Sequence, residues 1–312
     1  MASLLYYLII SAASIAVLLF SADLAVAGIA SYAKKLGISD FLYGFVVVGL
    51  GTSIPEFVSS FTGAAAGEGG IVFGTLFGSL IGSYCFVLGI PAIMQKKIKV
   101  ARNVRKRKNW PILIIVAIIG ILAIDGQLSH VDGLILAGVY AGYLFTLWKK
   151  EGTFGNIKKD VKLKHLWRDG AIFLGSLVAL LLSARWLVFS SVIVARDFLK
   201  IKPFLIAITV IGVISFLPDL IVQIRSMKRG HAQIGMGNVL GSGIINLTLI
   251  PAIVVIINPI KIDFMMILPA IITGLAVVSL VLWIIKKGYF LRRHGIYLGL
   301  IYAAFITFQI LI

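Results

Sequence analysis

Ten apolar stretches separated by short polar intervals organise this chain. They cover residues 4–33, 41–66, 71–94, 109–124, 131–148, 170–195, 203–226, 234–258, 264–285 and 295–312. A helix needs about 20 mostly apolar residues to cross a bilayer core, and most of these stretches come close to that length or pass it. The first is long enough to tilt or to run beyond the lipid. The intervals carry turn chemistry, as in Gly67-Glu68-Gly69-Gly70 and Asp125-Gly126-Gln127. The pattern predicts an all-α, polytopic membrane protein with ten transmembrane helices.

Composition strengthens that reading. Of 312 residues, 60% are hydrophobic and only 13% charged, with a mean hydropathy of +1.06; a soluble domain carries about a quarter charged residues. Cys85 is the single cysteine and lies in an apolar run, which excludes a disulfide framework and a cysteine metal site. Ala25-Val26-Ala27 has the shape of a signal cleavage site, but no basic stretch precedes Leu4, so the first segment is read as a spanning helix.

The net charge of +17 invites a nucleic-acid reading, which its placement opposes. The intervals after segments 1, 3, 5, 7 and 9 hold 23 of the 29 Lys and Arg residues; Arg196, Lys200, Lys202 and Lys261 lie on the other side, and Arg185 and Arg225 inside segments. That asymmetry puts the basic loops in the cytoplasm, with both termini outside a cell membrane. Residues 95–108 carry eight basic side chains and no acid. This interval reads as a topology determinant that touches anionic lipid head groups, a specific regulatory lipid or nucleotide site being the alternative.

An internal repeat underlies the pattern. Gly51-Thr52-Ser53-Ile54-Pro55-Glu56 recurs as Ile214-Ser215-Phe216-Leu217-Pro218-Asp219, and the step from Pro55 to Pro218 is 163 residues. Without a gap, the same step pairs Gly49 with Gly212, Gly74 with Gly237, Gly78 with Gly241 and Ser79 with Ser242. Equivalent segments stand five crossings apart, an odd number, so the halves enter the membrane in opposite directions. The expected organisation is a five-helix repeat over 1–148, a basic cytoplasmic linker over 149–169 and an inverted five-helix repeat over 170–312. Such repeats place their binding sites near the bilayer midplane at the repeat interface.

The chemistry follows from two acids. A carboxylate within hydrocarbon costs roughly 2.5–3.5 kcal/mol on insertion scales and marks ion pathways. Glu56 and Asp219 each follow a proline inside an apolar segment, and proline breaks a helix by removing a donor; segments 2 and 7 are therefore expected to be broken. The carbonyls of Gly49 and Gly212 and the hydroxyls of Thr52, Ser53 and Ser215 would lie beside the acids. Ser79 and Ser242, with Ser83 and Asn246 one turn later, share helix faces directed at the same cavity. Either acid taken alone also fits a protonated or internally paired carboxyl, and packing alone accounts for the glycines of the Gly-x-x-x-Gly stripes. The donors are all hard oxygens, which suits calcium or sodium rather than zinc or copper. His130, His165, His231 and His294 lack metal-ligand spacing and read as solvated. Asp23 and Arg185 either pair or lie at water-facing ends.

With these residues in place, the chain resembles the cation/calcium exchanger superfamily, in its sodium/calcium exchanger-like branch. Gly51 through Glu56 reads as the first signature; Pro218-Asp219, Gly237-Asn238-Val239-Leu240-Gly241-Ser242 and Asn246 read as the second. The resemblance implies antiport by alternating access, with Glu56 and Asp219 as central calcium ligands flanked by Thr52, Ser53, Ser79, Ser215, Ser242 and the carbonyls of Gly49 and Gly212. Phe216 stands where the family has serine, and Thr75 and Ser83 stand where it has asparagine. These changes bear on the sodium sites and leave the calcium pair intact.

The expected function is calcium exchanged against sodium, with no bound cofactor. Proton-coupled calcium exchange and a transport-dead cation sensor are the alternatives. An intramembrane enzyme using the acid pair lacks the motifs of aspartyl proteases and prenyltransferases.

Overall fold

The computed structural model describes residues 2–36, 40–65, 67, 69–95, 97–100, 104–105, 110–151, 163–198 and 216–311. Gly212, Ser215 and the first part of segment 7 lie outside them. The helices are α1 (Ala2–Leu36), α2 (Asp40–Tyr43), α3 (Gly49–Thr52), α4 (Ile54–Ala65), α5 (Gly69–Gly82), α6 (Leu88–Gln95), α7 (Pro111–Leu122) and α8 (His130–Glu151). They continue as α9 (Leu163–Ile193), α10 (Leu217–Lys228), α11 (Ala232–Leu247), α12 (Leu249–Ile257), α13 (Phe264–Lys287) and α14 (Arg292–Leu311). Short π-helical turns occupy Gly44–Val48, Ser83–Val87 and Val194–Phe198. Four short strands complete the order: β1 (Lys97–Lys99), β2 (Gln127–Leu128), β3 (Ile260–Lys261) and β4 (Tyr289–Leu291). Among the described residues, six helical stretches are long and apolar enough to cross a membrane, and the pair 40–52 and 54–65, bent by 41°, makes a seventh.

The elements recur with the sequence's own step. Moved by 163 residues, Ile54–Ala65 becomes Leu217–Lys228, so α4 and α10 coincide residue for residue. The π-helical turn at Ser83–Val87 falls on the interruption at Thr248 (φ −130°, ψ −67°) between α11 and α12. Pro251 accounts for that interruption, because it offers no N–H to the Leu247 carbonyl one turn back.

The chain forms two compact units, 1–44 with 153–237 and 45–152 with 238–312. In the first, α1 packs along α9, its mate by the repeat. The hydroxyls of Ser11 and Ser190 lie 2.8 Å apart, and Ser31 donates to Asp169 Oδ2 at 2.6 Å. A Cβ on Gly28 would come within 3.2 Å of the Phe173 nitrogen. Rising numbers on α1 thus meet falling numbers on α9: the helices are antiparallel. Their contact is lined by small buried residues seven apart, Ser14, Ser21 and Gly28 on one helix and Ser176, Ser183 and Ser190 on the other. Small side chains let backbones approach where lipid offers no hydrophobic drive. The hydroxyls of Ser176 and Ser183 are satisfied inside their own helix, donating to Phe173 O and Leu180 O at 2.8 Å.

This register also settles Asp23. Since residue 11 meets 190 and 28 meets 173, Asp23 is level with residue 178, about 10 Å along the axis from Arg185 at 1.5 Å per residue. Asp23 pairs instead with Arg225 (3.1 Å) and Arg229 (3.5 Å) of α10, and Arg185 is exposed.

In the second unit, two antiparallel ribbons carry the repeat in their pairing. Ile98 faces Phe290 in β1–β4, and Gln127 faces Lys261 in β2–β3. Adding 163 to Ile98 and subtracting it from Phe290 gives the second pair. Lys97–Leu291 maps onto Ile260–Leu128 in the same way. The backbones match while the charges differ. Lys97, Lys99, Lys286, Lys287, Arg292 and Arg293 surround β1–β4, with Lys97 over Tyr289 and Lys287 over Trp283. Asp125, Asp132 and Asp263 flank β2–β3.

Two of the four histidines differ from expectation, while His130 is exposed. His294 is buried, and its Nδ1 accepts the Leu291 N–H at 3.2 Å. Burial, then the charges of Arg293 and Lys287, holds its imidazole below the ordinary histidine range. His231 Nδ1 lies 2.7 Å from Asp40 Oδ2. A distant partner or a fold of the chain over a ring leaves no mark on local spacing, which is why both looked solvated.

Candidate cation site

The break between α3 and α4 falls at Ser53 (φ −86°, ψ 0°). Pro55, two residues on, withholds the N–H that the Gly51 carbonyl would receive in a continuous helix. Ser53 N–H still donates to Gly49 O at 3.1 Å, and the Thr52 hydroxyl approaches the same oxygen at 3.5 Å. The break opens a fresh helix N-terminus, and Glu56 sits in its first turn, where exposed amides and the helix dipole favour a charged carboxylate.

Glu56 is 7% exposed. Its Oε1 accepts the Ser79 hydroxyl at 2.7 Å, and Ser79 Oγ accepts Asn246 Nδ2 at 3.2 Å. An α4 acid, an α5 hydroxyl and an α11 amide thus form one connected set. Nearby on α3, the Thr52 hydroxyl lies 3.0 Å from Asn238 Oδ1 and 3.1 Å from Val48 O. A Cβ on Gly49 would approach the Ser242 nitrogen to 3.1 Å, so α3 lies close against α11 there. Ser242 is buried and turns its hydroxyl to Val239 O at 3.3 Å. Ser83 is buried where the π-helical turn begins.

Two buried oxygens of this set, Ser53 Oγ and Asn246 Oδ1, have no hydrogen-bond donor among the described residues. Buried polar atoms are rarely left so. Neutral oxygens with free lone pairs around one carboxylate are what a hard cation coordinates. Among the described residues no group of three His, Cys, Asp or Glu side chains is poised for a metal, consistent with a site built mainly of hydroxyls and amides.

In the other unit, Asp219 is 6% exposed and occupies the first turn of α10 behind Pro218. Phe216 precedes that helix with φ −96° and ψ 5°, within about 10° of its mate Ser53. Phe57 N–H donates to Ser53 O and Leu220 N–H to Phe216 O, both at 3.0 Å. The Asp219 half repeats the helix-start backbone of the Glu56 half with a buried ring in place of the hydroxyl.

The glycine stripes divide. A Cβ on Gly241 would overlap the Phe45 backbone, so close packing requires glycine there. At Gly74 and Gly78 an added Cβ meets nothing within 4 Å among the described residues. Sequence reasoning did not place Asn238 against Thr52, nor single out Ser60 and Gln223, both fully buried one turn after the acids. Their position four residues beyond Glu56 and Asp219 was the available signal.

The sequence profile of the sodium/calcium exchanger protein family matches residues 6–149 and 170–311. The chain belongs to the sodium/calcium exchanger family. It is an integral membrane protein and a cation antiporter by that membership. The chain is 25% identical to the sodium/calcium exchanger MaX1 of Methanosarcina acetivorans, with 91% of this chain and 93% of that one covered. It is 26% identical to the inner membrane protein YrbG of Escherichia coli over 78% of each. A solved structure of the sodium-calcium exchanger NCX_Mj superposes with a TM-score of 0.84 at 24% identity, covering 98% of both chains, which establishes the likeness of fold.

Proposed function

We propose that this antiporter exchanges calcium for sodium by alternating access, with Glu56 and Asp219 supplying the charge that holds the cation. The observation that carries the reading is the buried Glu56–Ser79–Asn246 set at a proline-broken helix, flanked by the donorless oxygens of Ser53 and Asn246. Thr52, Ser53, Ser79, Ser83, Ser242 and Asn246 complete the ligands in this reading, with the carbonyl of Gly49. Gly212 and Ser215 are assigned as their mates on the repeat. Two carboxylates match the charge of one divalent ion, and unloading it requires either sodium ions or protons in its place.

The proposal includes ten helices in two inverted repeats. Antiparallel packing of the mates α1 and α9 supports the inversion, because a two-fold axis that reverses spanning helices lies in the membrane plane. Within the second unit, the matched ribbons support the inversion as well. Their opposite charges favour an orientation with β1–β4 toward the cytoplasm and anionic head groups, with both termini outside a cell membrane.

Calcium-45 uptake into proteoliposomes, driven in turn by an imposed sodium or proton gradient, tests the reading. Uptake with sodium and its loss in Glu56→Gln are expected. Uptake with protons alone moves the assignment to proton coupling, and uptake under neither gradient overturns it.

A further inference from the structure

One turn past each acid the two halves part company. Ser60 follows Glu56 by four residues and Gln223 follows Asp219 by four, so each shares its acid's helix face. Gln223 is 2% exposed. Its Nε2 lies on Met227 Sδ at 3.4 Å, which turns Oε1 toward α11. That oxygen is fully buried and has no donor among the described residues. It rests over Gly235, where a Cβ would overlap it and would also come within 2.7 Å of Ser226 Oγ. Gly235 is therefore a cradle that keeps a buried amide oxygen in place. In helical register along α11, Gly235 is followed by Asn238, Ser242 and Asn246 at steps of three, four and four, and preceded four residues back by the half-exposed His231.

We propose that Gln223 Oε1 is an additional cation ligand, a relay on the route between the Arg229–Gly230 turn and the Asp219 end of the transport site. The inference rests on the antiport reading above. A buried amide oxygen with its nitrogen already engaged offers a partly hydrated cation one strong neutral ligand, without the charge that would trap it. The other half lacks this device. Ser60 is too short to reach across, and the mate of Gly235 is Val72, whose branched side chain takes the space an amide would need. The relay is one-sided, so it makes the two entry routes unequal in calcium affinity.

The test measures half-saturating calcium separately from each face, in inside-out and right-side-out vesicles holding the full chain. For Gln223→Leu, half-saturation on the face bearing the Arg229–Gly230 turn is expected to rise about tenfold, the equivalent of ~1.4 kcal/mol, and to stay within twofold on the other face. Gly235→Ala, which displaces the amide without removing it, should reproduce that one-sided shift, and it decides the matter if Gln223→Leu does not fold. Ser60→Ala should leave the Arg229–Gly230 face unchanged. Equal shifts on both faces, or none, overturn the relay. Glu56→Gln run alongside separates the two ideas: if it keeps transport, the antiport site itself is wrong, whereas its loss with a symmetric Gln223→Leu effect removes only the relay.

Discussion

At the break before α4, Ser53 holds φ −86°, ψ 0° and presents a buried hydroxyl with no hydrogen-bond partner among the described residues; at the start of α10, Phe216 holds φ −96°, ψ 5° and presents a ring. The same backbone therefore tolerates a polar and an aromatic side chain. The reason is that each helix start is fixed two residues later, by Pro55 and Pro218, which suit the first turn of a helix whatever stands before them. The architecture of the site and its ligand chemistry are thus set by different residues. The acids and the Ser79–Ser242 pair belong to the shared part, and the position of Ser53 and Phe216 to the part that has diverged.

The largest effect expected is on that shared part. Glu56→Gln and Asp219→Asn should each weaken calcium binding by roughly 100-fold or more, the scale of ~3 kcal/mol for removing one partner of a buried charge pair. Isothermal calcium binding to purified protein checks this, and a tenfold difference between the two variants would show that the acids are not equivalent. Next come the mated glycines. Gly241→Ala forces a methyl into the Phe45 backbone and should cost ~1–3 kcal/mol, whereas Gly78→Ala should stay within about 0.5 kcal/mol; thermal unfolding in detergent compares them. The mated serines follow. Ser79→Ala removes the donor to Glu56 and should weaken binding about fivefold, ~1 kcal/mol, while Ser242→Ala, which removes a ligand whose hydroxyl is shared with its own helix at Val239 O, should weaken it less, about twofold. Smallest is Phe216→Ser, which restores the mate of Ser53. A rise of about twofold in apparent sodium affinity, a few tenths of a kcal/mol, is expected in sodium-driven uptake; no change would mean that the ring does not stand in a sodium position.

Much of this was readable along the chain. Apolar runs gave an all-α membrane protein, of whose ten expected spans six or seven appear among the described residues; the 163-residue step gave the matched elements, and proline before Glu56 gave the break at Ser53, because each is a property of neighbouring residues or of strict repetition. Other features were not. The partner of Asp23 depends on the antiparallel register of α1 and α9, which a single chain position does not carry. His294 is buried by the chain around it, although its neighbours in sequence are arginine and glycine. Gly78 and Gly241 read alike, yet only the second meets a neighbouring backbone.

The sequence by itself determined that the chain is helical and apolar enough to span a membrane, that its halves share a 163-residue step, and which two acids follow prolines within apolar segments. These follow from local sterics, from the cost of unpaired backbone in lipid, and from the cost of a carboxylate there. Only the tertiary structure decided which oxygens meet: Ser79 with Glu56, Asn246 with Ser79, Thr52 with Asn238, and the Gln223 amide over Gly235. Those partners lie between 12 and 186 residues apart in the chain, and the helix packing that joins them rests on side-chain shape, which no local pattern encodes.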